Sequence, residues 1–178
     1  MKHTLVARVM DQPGVLNRVA SLFRRRAFNI DSLTVGHTET ADVSRMTIVV
    51  DTAKVPATIV AASLRKLIPV AEVVDVTHLP TVDRDLALIR VSCAPVARAE
   101  LASLVEIFRA RIVDVATDSV IVEVTGDERK VDGLVELLRP RGIVEMVRTG
   151  RVAMVRGSAS EQKPAAAHGP AALAAARH

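Results

Sequence analysis

The sequence predicts an α+β fold built from two tandem βαββαβ units, and three observations lead to this prediction. Residues 2–10 alternate in the period-two manner of a half-buried strand. Apolar residues then recur at i, i+3, i+4 and i+7, which is typical of an amphipathic helix. The same order of patterns returns about eighty residues later, as expected for an internal duplication. Each unit is expected to be a four-stranded antiparallel sheet with two helices on one face.

In the first unit, the face of the opening strand that we expect to be buried carries Leu5, Ala7 and Val9. Pro13 suits the first turn of the helix that follows, because its missing N–H costs nothing there. The predicted apolar face of this helix comprises Leu16, Val19, Ala20 and Phe23. The remaining predicted elements are strands over 30–37 and 43–51 joined by a polar turn, a helix over 54–67 and a strand over 70–78.

A linker over 80–84, marked by Pro80 and a run of charges, separates this domain (1–79) from a second one (85–157). The second domain repeats the order of elements, and its helices carry apolar faces with the same spacing. Those two faces are Leu101, Leu104, Val105 and Phe108, and Val131, Leu134, Val135 and Leu138. From Ser158 the composition collapses to Ala, Ser, Pro, His and Gly, which predicts a disordered tail over 158–178.

Composition narrows the class of protein. The chain is 49% hydrophobic, yet it has three Phe and neither Trp nor Tyr, so its core must be aliphatic. The net charge of +4 would suit a nucleic acid as a partner. Proteins that bind single-stranded nucleic acid usually stack the bases on aromatic side chains, however, and this chain has almost none. No apolar run is long enough for a membrane span. The absence of a signal-peptide pattern and the single Cys lead us to expect a cytoplasmic protein, with no partner among nucleic acids or membranes.

The sequence offers no catalytic constellation and no metal site. It contains neither a Gly-x-Gly-x-x-Gly nor a Gly-x-Ser-x-Gly motif, and its five His residues lack metal-ligand spacing. Cys93 follows an apolar strand and has no His near it in sequence, which favours a structural thiol over a nucleophile. We therefore expect a module that senses a ligand and does not convert one.

The turn before the first helix is the best candidate for such a ligand. A helix N-terminus presents unpaired amides and a partial positive charge, and Gly14 leaves the approach to them open. The amides of Gly14, Val15 and Leu16 are thus predicted to hold a carboxylate. Asn29 is placed to meet a polar group of the same ligand. The alternatives are purely structural: Asp11 would cap the helix, and Asn29 would merely occupy a turn.

Three strings in the first half carry a family resemblance: Asp-Gln-Pro-Gly-Val-Leu-Asn-Arg-Val at 11–19, Phe-Asn-Ile-Asp-Ser-Leu-Thr-Val at 28–35 and Ser-Arg-Met-Thr-Ile at 44–48. In the second half, Ile-Val-Asp-Val at 112–115 and Glu-Met-Val-Arg-Thr-Gly at 145–150 extend it. Over about residues 1–157 the chain resembles the small regulatory subunit of acetolactate synthase (acetohydroxyacid synthase). The resemblance implies an N-terminal ACT domain and a C-terminal ferredoxin-like domain.

The resemblance also implies a function. Members of this family are not catalytic themselves; they activate the thiamine-diphosphate-dependent catalytic subunit and confer feedback inhibition by branched-chain amino acids, usually valine. The cofactors thiamine diphosphate, Mg²⁺ and FAD are expected in the catalytic subunit only. The effector is expected at the interface of an ACT–ACT homodimer, and its family positions fall on Asp11, Gly14, Val15, Leu16, Asn29 and Ile30.

Position 11 departs from the family pattern, because it is often Asn in valine-sensitive relatives and is Asp here. A carboxylate at this position would pair with the ammonium of the effector or repel its carboxylate. Three rival classes of protein remain at this point: a free-standing amino-acid-binding regulator with another partner, an enzyme and an RNA-binding module. The regulator is disfavoured because no helix-turn-helix pattern precedes the sensing unit. The enzyme is disfavoured because catalytic groups are missing, and the RNA-binding module because its strands lack aromatic residues.

Overall fold

The computed structural model describes residues 1–53 and 55–157, which form two compact units. The first unit comprises Met1–Val82 together with the described residues from Arg151 onward, and the second comprises Asp83–Gly150. The predicted disordered tail over 158–178 lies outside the described residues. Each unit is an α+β structure with its own antiparallel sheet, as predicted.

The elements of the first unit are β1 (Lys2–Met10), α1 (Val15–Arg26), β2 (Asn29–His37), β3 (Val43–Asp51), α2 (Ala57–Arg65) and β4 (Val70–Asp75). They form a four-stranded antiparallel sheet in the order β2-β3-β1-β4. The predicted βαββαβ order is therefore confirmed. Strand β4 ends three residues before the predicted end at residue 78, and α2 is shorter than the predicted helix over 54–67.

The core of the first unit lies between one face of this sheet and the two helices. Leu5, Ala7 and Val9 of β1 are buried in it, as predicted. The predicted apolar face of α1 is partly wrong, because Leu16 is 47% exposed. The residues of α1 that are buried are Val15, Val19, Leu22 and Phe23. Pro13 lies before the helix and not in its first turn, because Gly14 is the N-cap and Val15 the first helical residue.

The second unit consists of β5 (Thr81–Ser92, whose first two residues belong to the first unit), α3 (Arg98–Ile107), β6 (Arg111–Val115), β7 (Ser119–Gly126), α4 (Glu128–Leu138) and β8 (Ile143–Arg148). The sheet order β6-β7-β5-β8 repeats that of the first unit, but a fifth short strand, absent from the predicted four-stranded sheet, pairs with β5. The Asp127 side chain caps α4 by accepting a hydrogen bond from the amide of Lys130 at 2.8 Å. The predicted face of α4 is fully buried, whereas only Leu101 and Val105 of the predicted α3 face are.

Irregular backbone positions show how closely the two units match. The first strand of each sheet has a register shift, at Arg8/Val9 and at Arg90/Val91. The second strands shift between Ile30 and Ser32 and between Ile112 and Asp114. The residues with positive φ at the ends of α1 and α3 are Ala27 and Arg109. Each pair is separated by 82 residues (8 to 90, 30 to 112, 27 to 109), so bulges and caps repeat along with the strands.

The boundaries of the units differ from those expected from sequence. Most of the predicted linker over 80–84 is part of a strand, because β5 begins at Thr81. The second unit ends at Gly150, and a further strand, β9 (Val152–Val155), which pairs with β5, is grouped with the first unit. The amide of Arg156, just after β9, donates to the carbonyl of Pro80 at 2.8 Å. The first unit is thus built from two separate stretches of chain.

A buried ion pair lies at the edge of the second unit's core. Arg148 of β8 donates through Nε and Nη2 to the Oδ2 atom of Asp85 at 3.1 and 2.6 Å, and the side chain of Asp85 is 8% exposed. Arg148 also donates to Asp132 of α4 at 2.6 Å. Burial acts to lower the pKa of Arg148, but the hydrogen bonds to Asp132 and Asp85 outweigh it, so the pKa is raised. These three side chains link β5, α4 and the end of β8.

Candidate functional site

The N-terminus of α1 is open. Gly14 is its N-cap with φ 85°, a left-handed conformation that suits glycine, and a Cβ placed there would meet no atom within 4 Å. The helix has no side-chain cap and no acidic residue in its first turn. Its amides and its partial positive charge therefore face an approach that no side chain of the helix blocks.

Only part of the predicted amide set is available at this helix end. The amide of Val15 donates to the carbonyl of Gln12 at 3.3 Å, and the first helical hydrogen bond runs from Arg18 to Gly14. The amides of Leu16 and Asn17 precede this ladder and have no helical acceptor. The Asn17 amide is a donor outside the set predicted from sequence. Its position three residues after the N-cap was a sufficient signal, because the first turn of any helix contains such amides.

Asp11 does not cap α1. Its amide donates to the carbonyl of Asp42 at 2.8 Å, and its Oδ2 atom lies 3.0 Å from Nδ1 of His37. The capping role proposed from sequence is wrong, because the turn through Gly14 leaves the helix without any side-chain cap. His37 is the last residue of β2, so its ring and Asp11 lie beside each other at one end of the sheet.

Asn29 and Ile30 open β2. Asn29 is exposed and faces Asp51 of β3 across the sheet, while Ile30 is half-buried against the first core. Asn29 also lies on the wall of a pocket of about 370 Å³. The other residues that shape this pocket include Phe28, Val50, Asp51, Val55 and Val60. A polar amide and the carboxylate of Asp51 thus border a pocket whose other lining side chains are apolar.

The structure divides the six predicted site residues into two groups at opposite ends of one sheet. Strands β1 and β2 run in the same direction, because both are antiparallel to β3. The first group (Asp11, Gly14, Val15 and Leu16) follows the end of β1, whereas the second (Asn29 and Ile30) begins β2. A nine-residue strand spans roughly 25–30 Å. One copy of the chain therefore does not bring the two groups together.

The second unit has no equivalent of this arrangement. With the 82-residue offset, Val96 stands where Gly14 stands, and it is 93% exposed within a short 3₁₀ turn over Pro95–Ala97. Arg111 takes the place of Asn29 and Cys93 that of Asp11. The side chain of Val96 occupies the position that Gly14 leaves open in the first unit. Arg111 places a cation where the first unit has the neutral amide of Asn29. The open helix end is a property of the first unit alone.

Other kinds of site find little support in the part of the chain that the structure describes. Over residues 1–53 and 55–157, no three His, Cys, Asp or Glu side chains are grouped as a metal ion requires. Cys93 is 3% exposed, and its Sγ atom lies 3.6 Å from the carbonyl oxygen of Ala94. None of the helices within these ranges combines the length and the apolar character needed to cross a membrane.

Family models match both units. The model described as an AHAS small subunit-like ACT domain matches residues 5–72, and the model described as the small subunit of acetolactate synthase matches residues 84–157. The first match covers the open helix end and β2. By class, the chain is a regulatory protein with an ACT domain followed by a second ferredoxin-like unit.

Individual relatives narrow this class to a family. A probable acetolactate synthase small subunit from Archaeoglobus fulgidus is 55% identical over 158 residues, covering 89% of this chain and 99% of the relative. The chain belongs to the acetolactate synthase small-subunit family. The acetolactate synthase small subunit of Bacillus subtilis is 46% identical over 159 residues, covering 89% and 92% of the two chains.

A solved structure leads to the same family. The crystal structure of the acetolactate synthase small subunit from Thermotoga maritima superposes with a TM-score of 0.81 at 39% identity, covering 88% of this chain and 98% of that chain. The resemblance noted in the sequence strings at 11–19, 28–35 and 44–48 is therefore confirmed, as is the prediction of tandem ferredoxin-like units.

Proposed function

We propose that this chain is a non-catalytic regulatory subunit. It binds the thiamine-diphosphate-dependent catalytic subunit of acetolactate synthase, raises the activity of that subunit, and confers feedback inhibition by valine or a related branched-chain amino acid. The observation that carries the proposal is the open N-terminus of α1 in the unit that matches an ACT domain. In this proposal the catalytic subunit holds the thiamine diphosphate, Mg²⁺ and FAD, and the holoenzyme acts in the cytoplasm.

The chemistry of valine matches what the two ends of the sheet offer. The valine carboxylate suits the amides at the start of α1, where the helix dipole is positive. The side-chain amide of Asn29 both donates and accepts hydrogen bonds, and so can meet either polar group of the ligand. The small apolar side chain suits Leu16 and Ile30, whereas the side chain of Val15 is buried in the core. Leu16 is 47% exposed, so an apolar contact for a ligand is present at the surface.

A homodimer unites the two groups of residues. β2 is an edge strand, and open edges of antiparallel sheets are sites of strand pairing. If two copies pair antiparallel through β2 about a two-fold axis, Asn29 of one copy lies beside the end of β2 in the other. That end is where Asp11 lies beside His37 and where α1 begins nearby. Two equivalent effector sites per dimer follow from the symmetry.

The first prediction concerns activity. The purified chain alone is expected to form no acetolactate from pyruvate, whereas adding it to the cognate catalytic subunit is expected to raise turnover until the subunits are saturated. A pull-down with the full chain identifies the partner. Synthase activity in the isolated chain, an unchanged rate of the catalytic subunit at saturating ratios, or capture of an unrelated partner in its place contradicts the proposal. The last outcome favours a free-standing regulator.

The second prediction concerns assembly. We expect the full chain to be at least a dimer at micromolar concentration, because the edge of β2 and the separated site residues both require a second copy. Light scattering with and without valine measures this directly. A variant with Val35→Lys places a charge on the β2 edge strand, where Val35 is 43% exposed, and is expected to weaken the dimer. A monomeric wild-type chain under both conditions argues against the interface.

The third prediction concerns the role of Asp11. If the carboxylate of Asp11 repels that of the effector, Asp11→Asn tightens inhibition by valine; if it pairs with the ammonium, the same change weakens inhibition. The contact of Asp11 Oδ2 with His37 Nδ1 at 3.0 Å orients the carboxylate, and the direction in which inhibition changes distinguishes the two roles. Asn29→Ala is expected to weaken inhibition less than changes at Gly14, because the helix amides remain. Inhibition of the reconstituted enzyme is titrated for each variant, with Arg25→Gln, an exposed change on α1, as the control.

A further inference from the structure

Three charged side chains lie side by side on the sheet face of the first unit that points away from α1 and α2. Arg8 of β1 is directly opposite Arg45 of β3 on one side and Glu72 of β4 on the other. Like charges directly opposite each other on a sheet are unfavourable. A pair of arginines held together in this way therefore needs compensation from nearby anions.

The last described segment of the chain covers this face. Arg45 donates through Nη2 to the carbonyl of Ala153 in β9. Arg151 donates through its amide to Ser32 Oγ at 3.4 Å and through Nη1 to Thr4 Oγ1 at 3.1 Å. Ala153 is buried in a small apolar cluster with Val6 and Val76. Strand β9 is thus fixed over the sheet by these hydrogen bonds and by an aliphatic contact, in addition to its strand pairing with β5.

Between β9 and the sheet lies a cavity of about 160 Å³. Arg8, Arg45 and Glu72 supply its polar lining, which carries a net charge of +1. Glu39, outside the lining, forms an ion pair with Arg8 at 3.0 Å. Its apolar lining comes from Val6, Val74 and Val76 on the sheet and from Met154 and Val155 of β9. The cavity has room for about five waters at roughly 30 Å³ each, which is the scale of a small metabolite.

The two arginines retain donors for a ligand. Nη2 of Arg8 is held by Glu39 Oε1 at 3.0 Å and Thr40 Oγ1 at 3.2 Å, and Arg45 gives one donor to Ala153. A guanidinium has five N–H donors, so each side chain is oriented by these contacts and not exhausted by them. Burial, and then the charge of Arg8, lower the pKa of Arg45, while Glu72 and Glu39 act to raise it. An additional anion beside Arg45 offsets this unfavourable environment.

We propose that this cavity is a second ligand site, separate from the open end of α1, and that it binds a short aliphatic monocarboxylate. The carboxylate binds between Arg8 and Arg45, where paired guanidinium donors match its geometry. The hydrocarbon part packs on Val74, Val76 and Met154. Both 2-amino and 2-oxo acids share this chemistry, and Glu72 favours the amino acid by pairing with its ammonium. Because β9 forms one wall, a bound ligand holds β9 against the sheet.

The test uses the full chain carrying Gly14→Asp, so that the open end of α1 does not contribute. Methyl resonances of Val74, Val76 and Met154 are followed by NMR during titration with L-valine, 2-oxo-3-methylbutanoate or isobutylamine. The two carboxylates are expected to shift these resonances and isobutylamine is not. Adding Arg8→Gln is expected to weaken binding about ten- to a hundredfold, the value of one charge-assisted contact. Arg25→Gln, on an exposed part of α1, is the matched control.

Two further measurements make the result decisive. Glu72→Gln is expected to weaken binding of L-valine but not of the oxo acid, because only L-valine has an ammonium group for Glu72 to pair with. This difference shows whether the site prefers an amino acid or an oxo acid. At a ligand concentration 100 times Kd, exchange of the Arg156 amide is expected to slow about a hundredfold, because the ligand binds only while β9 is docked. No shift of the three methyl groups with either acid, or equal effects of Arg8→Gln and Arg25→Gln, overturns the proposal. Neither result bears on inhibition through α1, which is measured in the reconstituted enzyme.

Discussion

Gly14→Asp is expected to remove most of the inhibition by valine while leaving activation of the catalytic subunit intact. The new side chain occupies the open approach to the start of α1, and its charge opposes the carboxylate of the effector. Losing one charge-assisted contact costs about 1.5–3 kcal/mol, which is roughly ten- to a hundredfold in affinity. Titration of the reconstituted enzyme with valine measures the shift.

Gly14→Asn is the matched control for this variant. Both side chains have the same size, and both tolerate the left-handed conformation that φ 85° requires. The two variants therefore differ mainly in charge. Asp also interacts favourably with the helix dipole, so poor folding is not a reason for it to bind worse than Asn. Unchanged inhibition in Gly14→Asp, or an equal loss in both variants, contradicts the electrostatic part of the argument.

Arg148→Met is expected to destabilise the second unit by about 3 kcal/mol. The substitution leaves Asp85, which is 8% exposed, without the two hydrogen bonds that compensate its buried charge. Breaking such a pair from one side typically costs about 3–5 kcal/mol. The lower end applies here because Arg148 itself is 27% exposed. Urea unfolding followed through amide resonances of β5 and β7 measures the change.

Two controls show whether the loss comes from the buried charge. Arg139→Met removes an exposed pair with Glu136 and is expected to cost less than about 1 kcal/mol. The double variant Asp85→Leu with Arg148→Met removes both charges and is expected to recover most of the stability. If the double variant is as unstable as Arg148→Met alone, packing of the arginine stem and not the buried carboxylate explains the loss.

Strands were more predictable from sequence than helix faces. Alternation placed β1 and β3 with their observed bounds, because a one-residue shift would turn every core residue to solvent. The buried face predicted for α1 was wrong by about one position. Val15 and Leu16 are both apolar, and the helical spacing fits either of them. The observed face follows from where the helix begins, which the positive φ of Gly14 determines. That backbone conformation is not encoded in the apolar spacing.

Strand β9 was missed for a different reason. Its four residues, Val152–Val155, carry no turn signal or long alternation, and the chain that it bonds to near Pro80 is some seventy residues earlier. So short a strand is stable only when β5 is in place to pair with it and Val6 and Val76 are in place to bury Ala153. The candidate site is a different case. The motif positions predict six residues, but only the strand directions show that these residues lie at two ends of the sheet.

The separation of Gly14 from Asn29 links ligand binding to association. Any ligand that contacts both residues binds a pair of chains and not a single one, so mass action makes its apparent affinity depend on protein concentration. Dilution below the dissociation constant of the dimer then weakens sensitivity to the ligand, and saturating ligand in turn strengthens the dimer by the same free energy. A cell that makes more of this subunit would thereby lower the effector concentration at which inhibition begins, without any change in sequence.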